Sequence, residues 1–576
     1  MSDLQQRLAS AALAQVPRLL STLDREADSE SFGSFDRDYW AWKLRDFPVT
    51  MLQYGLVPLA RLHRGAIPRT RYEESDRLAR WIEAAVRRVL SSQRRDGGFD
   101  SVAPNAPDHG VTVAMAYALV EAAPVVASAL GPALDDAIRR AVEYGLRSRE
   151  DYAFISNHQA LAALGFRRAG EHLADERFLR RSDAIVDAIL AHQSPDGPFA
   201  EYGGADPGYE TLGLFYLALL FRSNGSEELL AAMRRSVHFL AHCVHPDGSV
   251  GGVYGSRHTH VFHPGGLAIL AEQVPEAGAI LAFVGQRLGE HPVVTLDAVD
   301  ALNLPVLLHG YVEAATAADP NRAVPALPCE ALRGRIDFPD VGIRVVGNEA
   351  YFAVVSSARG GVGRFHARDG RLLHQDAGWL LREGRVRWTS QRLGLADAVD
   401  PASDTPDTLT CRTSFARVDL PLPTPVRFLL LRLANLTVFR WPRAAAAIRA
   451  WIVGRLVTRM EKGPHRLERK FRFGPAEVEI LDRVVSTSPR ALTSAQLVRE
   501  FTSIHMGSAR YFHPSELDVT VAGDAGTLHL ELVRNGEVTH RTRFGPGLVP
   551  GRDPGSGDGE APRGQDRAAT PPEIQK

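Results

Sequence analysis

Cysteine is nearly absent: Cys243, Cys329 and Cys411 are the only three in 576 residues, far apart and without CxxC spacing. That excludes a disulfide framework and a thiolate zinc site. A surplus of one charge is missing too. Lysine plus arginine (67) and aspartate plus glutamate (68) leave a net charge of −1, so no global field draws the chain to nucleic acid. No run of about eighteen apolar residues is present to span a bilayer. The opening stretch, MSDLQQRLASAALAQVPRLLSTLDREADSE, lacks the basic start, sustained apolar core and cleavage site of a secretion signal, so a cytoplasmic protein is expected. What is present suits a folded protein with more than one domain: 45% hydrophobic and 23% charged residues.

Between about residues 75 and 320, Ala- and Leu-rich segments such as RLARWIEAAVRRVL and LLAAMRRSVHFLAHCV run at helical period. A punctuation recurs between them. QRRDGGF, REDYAF, QSPDGPF and VHPDGSV place Asp96, Asp151, Asp196 and Asp247 about fifty positions apart, the period of stacked helical hairpins. Asp-Gly supplies a tight turn, and the Phe after it folds back onto the hairpin. Hairpins stacked with one sense of rotation close into a ring, so an α/α toroid is predicted over 1–325.

The texture then changes. VGIRVVG, AYFAVVSSA, LLHQDAGWLL, RVRWTSQ and LDVTVAG are short, β-branched and aromatic, with Gly-rich turns. They predict an antiparallel β-sandwich over 326–545, and an α+β multidomain chain overall. Within it, Arg534-Asn535-Gly536-Glu537 reads as the turn of a hairpin between two strands. Residues 425–463 interrupt the strand pattern with seven Arg and one Lys against a single Glu, among Leu, Phe and Trp. Two basic helices broken at Pro442 are expected there, packed on the sandwich or lying on the inner face of an anionic membrane as a peripheral contact. The tail 546–576, rich in Pro and Gly, is expected to be disordered.

Four stretches carry groups suited to chemistry. Gln193–Glu210 is longer than a chain reversal needs and holds Glu201, Tyr202, Asp206 and Tyr209. Asn157-His158 opens a helical segment. SRHTHVFHPGG brings Arg257, His258 and His260 into one Gly-flanked loop. FDRDYWAWKLRDFP sets Arg37 and Arg45 beside Trp40 and Trp42, flat apolar faces with charged edges that suit stacking on sugars.

Four segments, SFGSFDRDYWAWKLRDFP, SNHQALAALG, AEYGGADPGYETL and YGSRHTHVFHPGG, carry a resemblance to the heparinase II/III-like family of polysaccharide lyases. The likeness extends over about 35 to 540 and is nearest to members from bacterial surface-polysaccharide gene clusters. It implies a toroid followed by a sandwich, and β-elimination on an anionic, uronate-containing polysaccharide or lipid-linked oligosaccharide. It also implies roles: Asn157 and His158 match the carboxylate-neutralising position, and Tyr209, fifty-two residues after Asn157, matches the lyase tyrosine. Tyr202 is the near alternative, and His258 or His260 the second proton carrier. Arg257, Glu201, Asp206 and the Arg37–Arg45 segment would contact substrate. Some relatives hold a metal or use a histidine in the sandwich; His366, His374 and Asp376 fall there without ligand spacing, so no metal and no cofactor are expected. Two other readings fit the pattern. One is a non-catalytic glycan-binding component of an assembly system. The other is a terpene-cyclase-like toroid, which needs a DxDD-type motif; Asp135-Asp136 has no third acid in place.

Overall fold

The structure, a computed structural model, describes residues 2–548 except 102, 151–153, 290–292, 318–323, 398–403, 419–421, 423, 442–443, 446, 449–459, 500–510, 513–516 and 518–524. Helices come first: α1 (Asp3–Thr22), the single turn α2 (Arg37–Trp40), α3 (Leu56–His63), α4 (Asp76–Ser92), α5 (His109–Arg147), α6 (Ser156–Leu173), α7 (Glu176–Ala191), α8 (Pro207–Asn224), α9 (Glu227–Ala241), α10 (Pro264–Leu270), α11 (Pro275–Gly285) and α12 (Leu304–Thr316). α3, α5, α6, α8, α10 and α12 pack side by side, and α12 returns against α3 to close an α/α toroid. Burial follows position. Outer α4 hides Leu78, Ile82, Ala85, Val86 and Val89 on one face and leaves Arg77, Arg80 and Arg87 to water, whereas inner α8 is buried nearly all round. α5 is the one described helix with the length and apolarity to cross a bilayer, yet it is mostly buried and doubles back on itself. His109 Nδ1 lies 3.0 Å from Ser148 Oγ, at its two ends, and Gly145 packs against the Val113 side chain.

The repeated punctuation is a staple between neighbouring hairpins. Gln93 Nε2 donates to Gly97 O (3.0 Å) and to Ala137 O (2.9 Å); Gln193 Nε2 does the same to Gly197 O (2.6 Å) and Ala232 O (2.9 Å). Phe99 and Phe199 are buried beneath the two turns. Gly97 and Gly197 take φ of +91° and +110°, and a Cβ there would sit 2.2 Å from Arg140 O and 2.5 Å from Arg235 O. Gly197→Ala is therefore expected to cost about 2–4 kcal/mol in denaturant unfolding, from backbone strain and a clash with main chain that cannot swing aside.

A short α13 (Pro328–Ala331) leads into the sheets. β1 (Gly334–Phe338), β2 (Ile343–Gly347), β3 (Tyr351–Ser356), β4 (Val362–Ala367) and β5 (Leu372–Asp376) form a five-stranded antiparallel meander. β6 (Trp379–Glu383), β7 (Val386–Thr389), β8 (Thr408–Val418), β9 (Lys462–Phe473), β10 (Val478–Ser486), β11 (Ser494–Leu497) and β12 (Glu537–Phe544) form a seven-stranded sheet in the order β11-β6-β7-β8-β9-β10-β12. Val346, Ala353, Val355 and Phe365 face Cys411, Phe471 and Ile480 across the sandwich. Their neighbours Val345, Phe352, Val354 and Val362 point the other way, into the toroid core. The first sheet thus lies between the toroid and the second sheet, and β2, β3 and β4 are buried on both faces, as continuous runs such as IRVVG and YFAVVS require.

One sequence expectation changes here. The segment before Asn535-Gly536 is not a strand but a helix, α15 (Ala525–Asn535), which Gly536 ends at φ +75°. Its Leu528, Leu530 and Leu532 alternate like strand residues, but Leu528 and Leu532 also stand one helical turn apart, and these two are buried while Leu530 is 67% exposed. Leu532→Ala should therefore cost about 2–5 kcal/mol and Leu530→Ala almost nothing in the same unfolding assay. The interruption contains α14 (Pro425–Leu436) and a turn of 3-10 helix at Val438–Arg440. Pro442, Arg443, residues 446 and 449–459, most of LDVTVAG, Asp151 and the tail beyond Leu548 lie outside the described residues.

Candidate active site

Because each inner helix of the ring is paired with an outer one running back, the inner helices begin at one mouth. The loops that lead into them meet there. Ile155 and Glu201 form a β-bridge, Gly208 packs on Thr259, and Thr50 Oγ1 donates to Asp100 O. At this mouth the loop Gln193–Glu210 is pressed between the ring and the first sheet. Val341 N donates to Asp196 Oδ2 (3.0 Å), Gly204 packs on Leu393, and Arg359 Nη1 donates to Gly255 O.

The structure brings Tyr202, Tyr209 and Arg257 together, and His258 and His260 follow Arg257 in the same loop. The two tyrosine rings lie 6.5 Å apart, and the Arg257 guanidinium sits 3.7 Å above the centre of the Tyr202 ring. His258 Nε2 and His260 Nε2 are 3.3 Å apart. Tyr202 and His258 hold φ of +55° and +59°, a left-handed conformation costly for residues with a Cβ and concentrated at functional sites. Asn157 opens α6 beside this group, while His158 turns to Glu150, 2.9 Å from its Nδ1.

Three carboxyls from the same loop are buried, and each accepts hydrogen bonds from within the protein. Asp206, expected to bind substrate, caps α8 by accepting from Tyr209 N (3.2 Å), and its other oxygen accepts from Arg257 N (2.7 Å) and Thr259 N (3.3 Å). It is fully buried and brackets the Arg257 loop to the start of α8. Glu201, also expected at the substrate, instead accepts from Asn157 N (2.8 Å) and from Asn157 Nδ2 (3.0 Å to each oxygen). The Asn157 amide nitrogen, expected to face a substrate carboxylate, is spent on Glu201. Glu210, which the sequence did not single out, accepts from Phe199 N (3.0 Å) and from Ser236 Oγ.

Burial pushes the Glu201 carboxyl up to about 7, against the pull of the Asn157 N–H groups, and the Glu210 carboxyl up to about 8. In the unfolded chain both would lose their protons near pH 4.5. The folded chain consequently binds more protons across the interval from about pH 4.5 to 8, and stability must fall as pH rises through it. Glu210→Gln keeps the acceptor oxygen and removes the titration. Relative to the parent, it is expected to gain about 3–5 kcal/mol in unfolding free energy between pH 4.5 and 8.5. Parallel stability curves for the two proteins would refute this.

The aromatic segment before α3 is placed differently. Arg37 Nη1 donates to Ser21 O (3.2 Å) and Trp40 Nε1 to Thr22 O (2.8 Å), anchoring the segment to the end of α1. Arg45 pairs with Asp36 and Asp38, and Trp42 projects into solvent. Arg37, Trp42 and Arg45 remain exposed beside these contacts.

The sandwich histidines do not form one group. His374 and Asp376 join a buried ion cluster in which Arg469 Nη1 donates to Asp376 (2.6 Å) and its Nε and Nη2 grip Asp482 (2.6 Å each). His366 instead faces the toroid, 3.2 Å from Asp247 Oδ2, with its ring stacked on His245. Ligand-type atoms of His245, Asp247 and His366 fall within 4.8 Å of one another, the one such trio among the described residues. Arg364, 3.9 Å from Asp247, already supplies positive charge there. Neither this trio nor the buried Arg359, which ties the first sheet to Gly255, carried any local sequence signal, since both join residues about a hundred positions apart.

No protein-family model matches the chain, and no curated protein matches it. Among solved structures it is similar to the Streptomyces coelicolor chondroitin AC lyase in complex with chondroitin sulphate, at 12% identity and a TM-score of 0.53, covering 87% of this chain and 68% of that one. It is also similar to a Paenibacillus xanthan lyase, at 12% identity and a TM-score of 0.49, covering 87% of this chain and 47% of that one. The chain thus shares its fold, an α/α toroid followed by antiparallel sheets, with the chondroitin AC lyase.

Proposed function

We propose that this protein is a polysaccharide lyase-like enzyme that cleaves an anionic, uronate-containing polysaccharide or lipid-linked glycan by β-elimination, and that its kinship is with the heparinase II/III-like lyases of bacterial surface-polysaccharide metabolism. The observation that carries this reading is the cluster of two tyrosines and an arginine at the mouth of a lyase-type toroid, with a histidine pair in the same loop as the arginine. β-Elimination needs a cation or donor for the uronate carboxylate, a base for the proton at C5, and an acid for the leaving oxygen at C4. Arg257 takes the first role in place of Asn157, because its Nε has no hydrogen-bond partner while the Asn157 amide is held by Glu201. Tyr209 removes the C5 proton. The C4–O4 bond breaks, a C4=C5 double bond forms, and the proton passes to O4 from Tyr209 or from the His258–His260 pair. No water is consumed.

The test is a panel of uronate polymers incubated with the full chain and followed by ultraviolet absorbance of the unsaturated product. Absorbance that rises with at least one uronate polymer and with no neutral polymer supports the reading. Tight glycan binding without product would assign the chain to a non-catalytic glycan-binding role instead.

A further inference from the structure

The surface of α14 does not look like the outside of a folded domain. Val426, Phe428, Leu429, Leu430, Leu431 and Leu433 are all exposed, Phe428 by 62%. Four of them are consecutive, so they ring the helix instead of forming a stripe. A protein partner would cover one face and leave the others in water, whereas a fluid apolar medium buries every side. Charge points the same way: Arg427 and Arg440 are exposed, and 425–440 contains no Asp or Glu.

The helix is also anchored to the toroid. Arg432 forms an ion pair with Asp46 and lies 5.1 Å over the Phe47 ring, while Asn105 Nδ2 donates to Asn435 O at 3.1 Å. The loop it grips presents Trp42 and Leu44, 67% and 75% exposed. Indole side chains favour the headgroup level of a bilayer. Residues 41–50 lead into α3 and residues around Asn105 lead into α5, so this surface stands at the mouth of the ring that also holds Tyr202 and Tyr209.

We propose that α14 and the Trp42–Leu44 loop together form a docking surface for an anionic lipid bilayer, which holds the mouth of the toroid against the membrane. The proposal goes beyond the lyase reading and does not depend on it. With 12 residues α14 is too short to span, so the apolar side chains enter the acyl boundary, Arg427 and Arg440 remain at the phosphates, and binding is reversible.

The experiment is co-sedimentation of the full chain with vesicles of phosphatidylcholine alone or mixed equally with phosphatidylserine, at low and high salt. About tenfold or greater preference for the anionic vesicles at low salt, reduced at high salt, is expected. Phe428→Glu with Leu430→Glu should lower binding about tenfold or more, and Trp42→Ala with Leu44→Ala should lower it severalfold. All four side chains are exposed, so an unchanged thermal transition will show that both variants fold. Equal sedimentation of parent and Phe428→Glu/Leu430→Glu would overturn the proposal, and so would equal binding to both vesicle types. No effect of Trp42→Ala/Leu44→Ala would overturn the two-segment surface. A dimer seen without lipid and abolished by Phe428→Glu/Leu430→Glu would give the surface to a second copy of the chain.

Discussion

Tyr209→Phe is expected to abolish turnover of a uronate glycan, by about three orders of magnitude or more, while the thermal transition stays where it is. The substitution removes one phenolic oxygen and leaves the ring, which packs near Tyr202, and the backbone N–H that Asp206 accepts. General acid–base groups contribute about 10²–10⁴-fold, and a residue that both removes the proton and returns it sits at the upper end. KM should change little, since the phenol acts on the reacting proton and not on the anionic anchor. Arg257→Ala should show the reverse emphasis, with a raised KM from loss of the guanidinium that meets the carboxylate. Unchanged kcat in Tyr209→Phe would move the proton-transfer role to Tyr202 or to the histidine pair.

Asp206→Ala is expected to have the largest effect on stability of any change at the site, about 3–5 kcal/mol by denaturant unfolding. One carboxylate caps α8 and also accepts from Arg257 N and Thr259 N, all in a buried setting. Loss of a helix cap costs about 1 kcal/mol, and each buried N–H left without an acceptor costs about 1–3 kcal/mol. The Arg257–His260 loop should loosen with it, so activity should fall further than the folded fraction does. A variant as stable as the parent would mean that water replaces the carboxylate and that the bracket is dispensable.

Much of the ring could be read from sequence because its signals are local. The Gln-Asp-Gly-Phe punctuation is a short contiguous motif, and Gly97 and Gly197 show why the glycine is required there. Strands β2 and β3 were legible for a similar reason: burial on two faces demands unbroken apolar runs. α15 was misread because leucines at alternate positions satisfy both periods, and only packing selects Leu528 and Leu532 as the buried pair. At the site, sequence placed Tyr202, Tyr209, Arg257, His258 and His260 in loops that the ring then gathers. It could not see that Asp206 and Glu201 point inward. A carboxylate beside a tyrosine reads as a sugar contact until its partners are known, and those partners, Asn157, Arg257 and Thr259, lie about fifty residues away. The same limit hid the grip of Arg432 on Asp46, which fixes where the basic helix stands.

The mass of the product released from a uronate polymer tests the central claim most directly. β-Elimination moves a proton and breaks one bond without adding water, whereas hydrolysis adds one water per cleavage. The account predicts that every new non-reducing end is lighter than its hydrolytic counterpart by one water, carries the absorbance of a conjugated double bond, and disappears in Tyr209→Phe. Products at the full hydrolytic mass, without that absorbance, would contradict it.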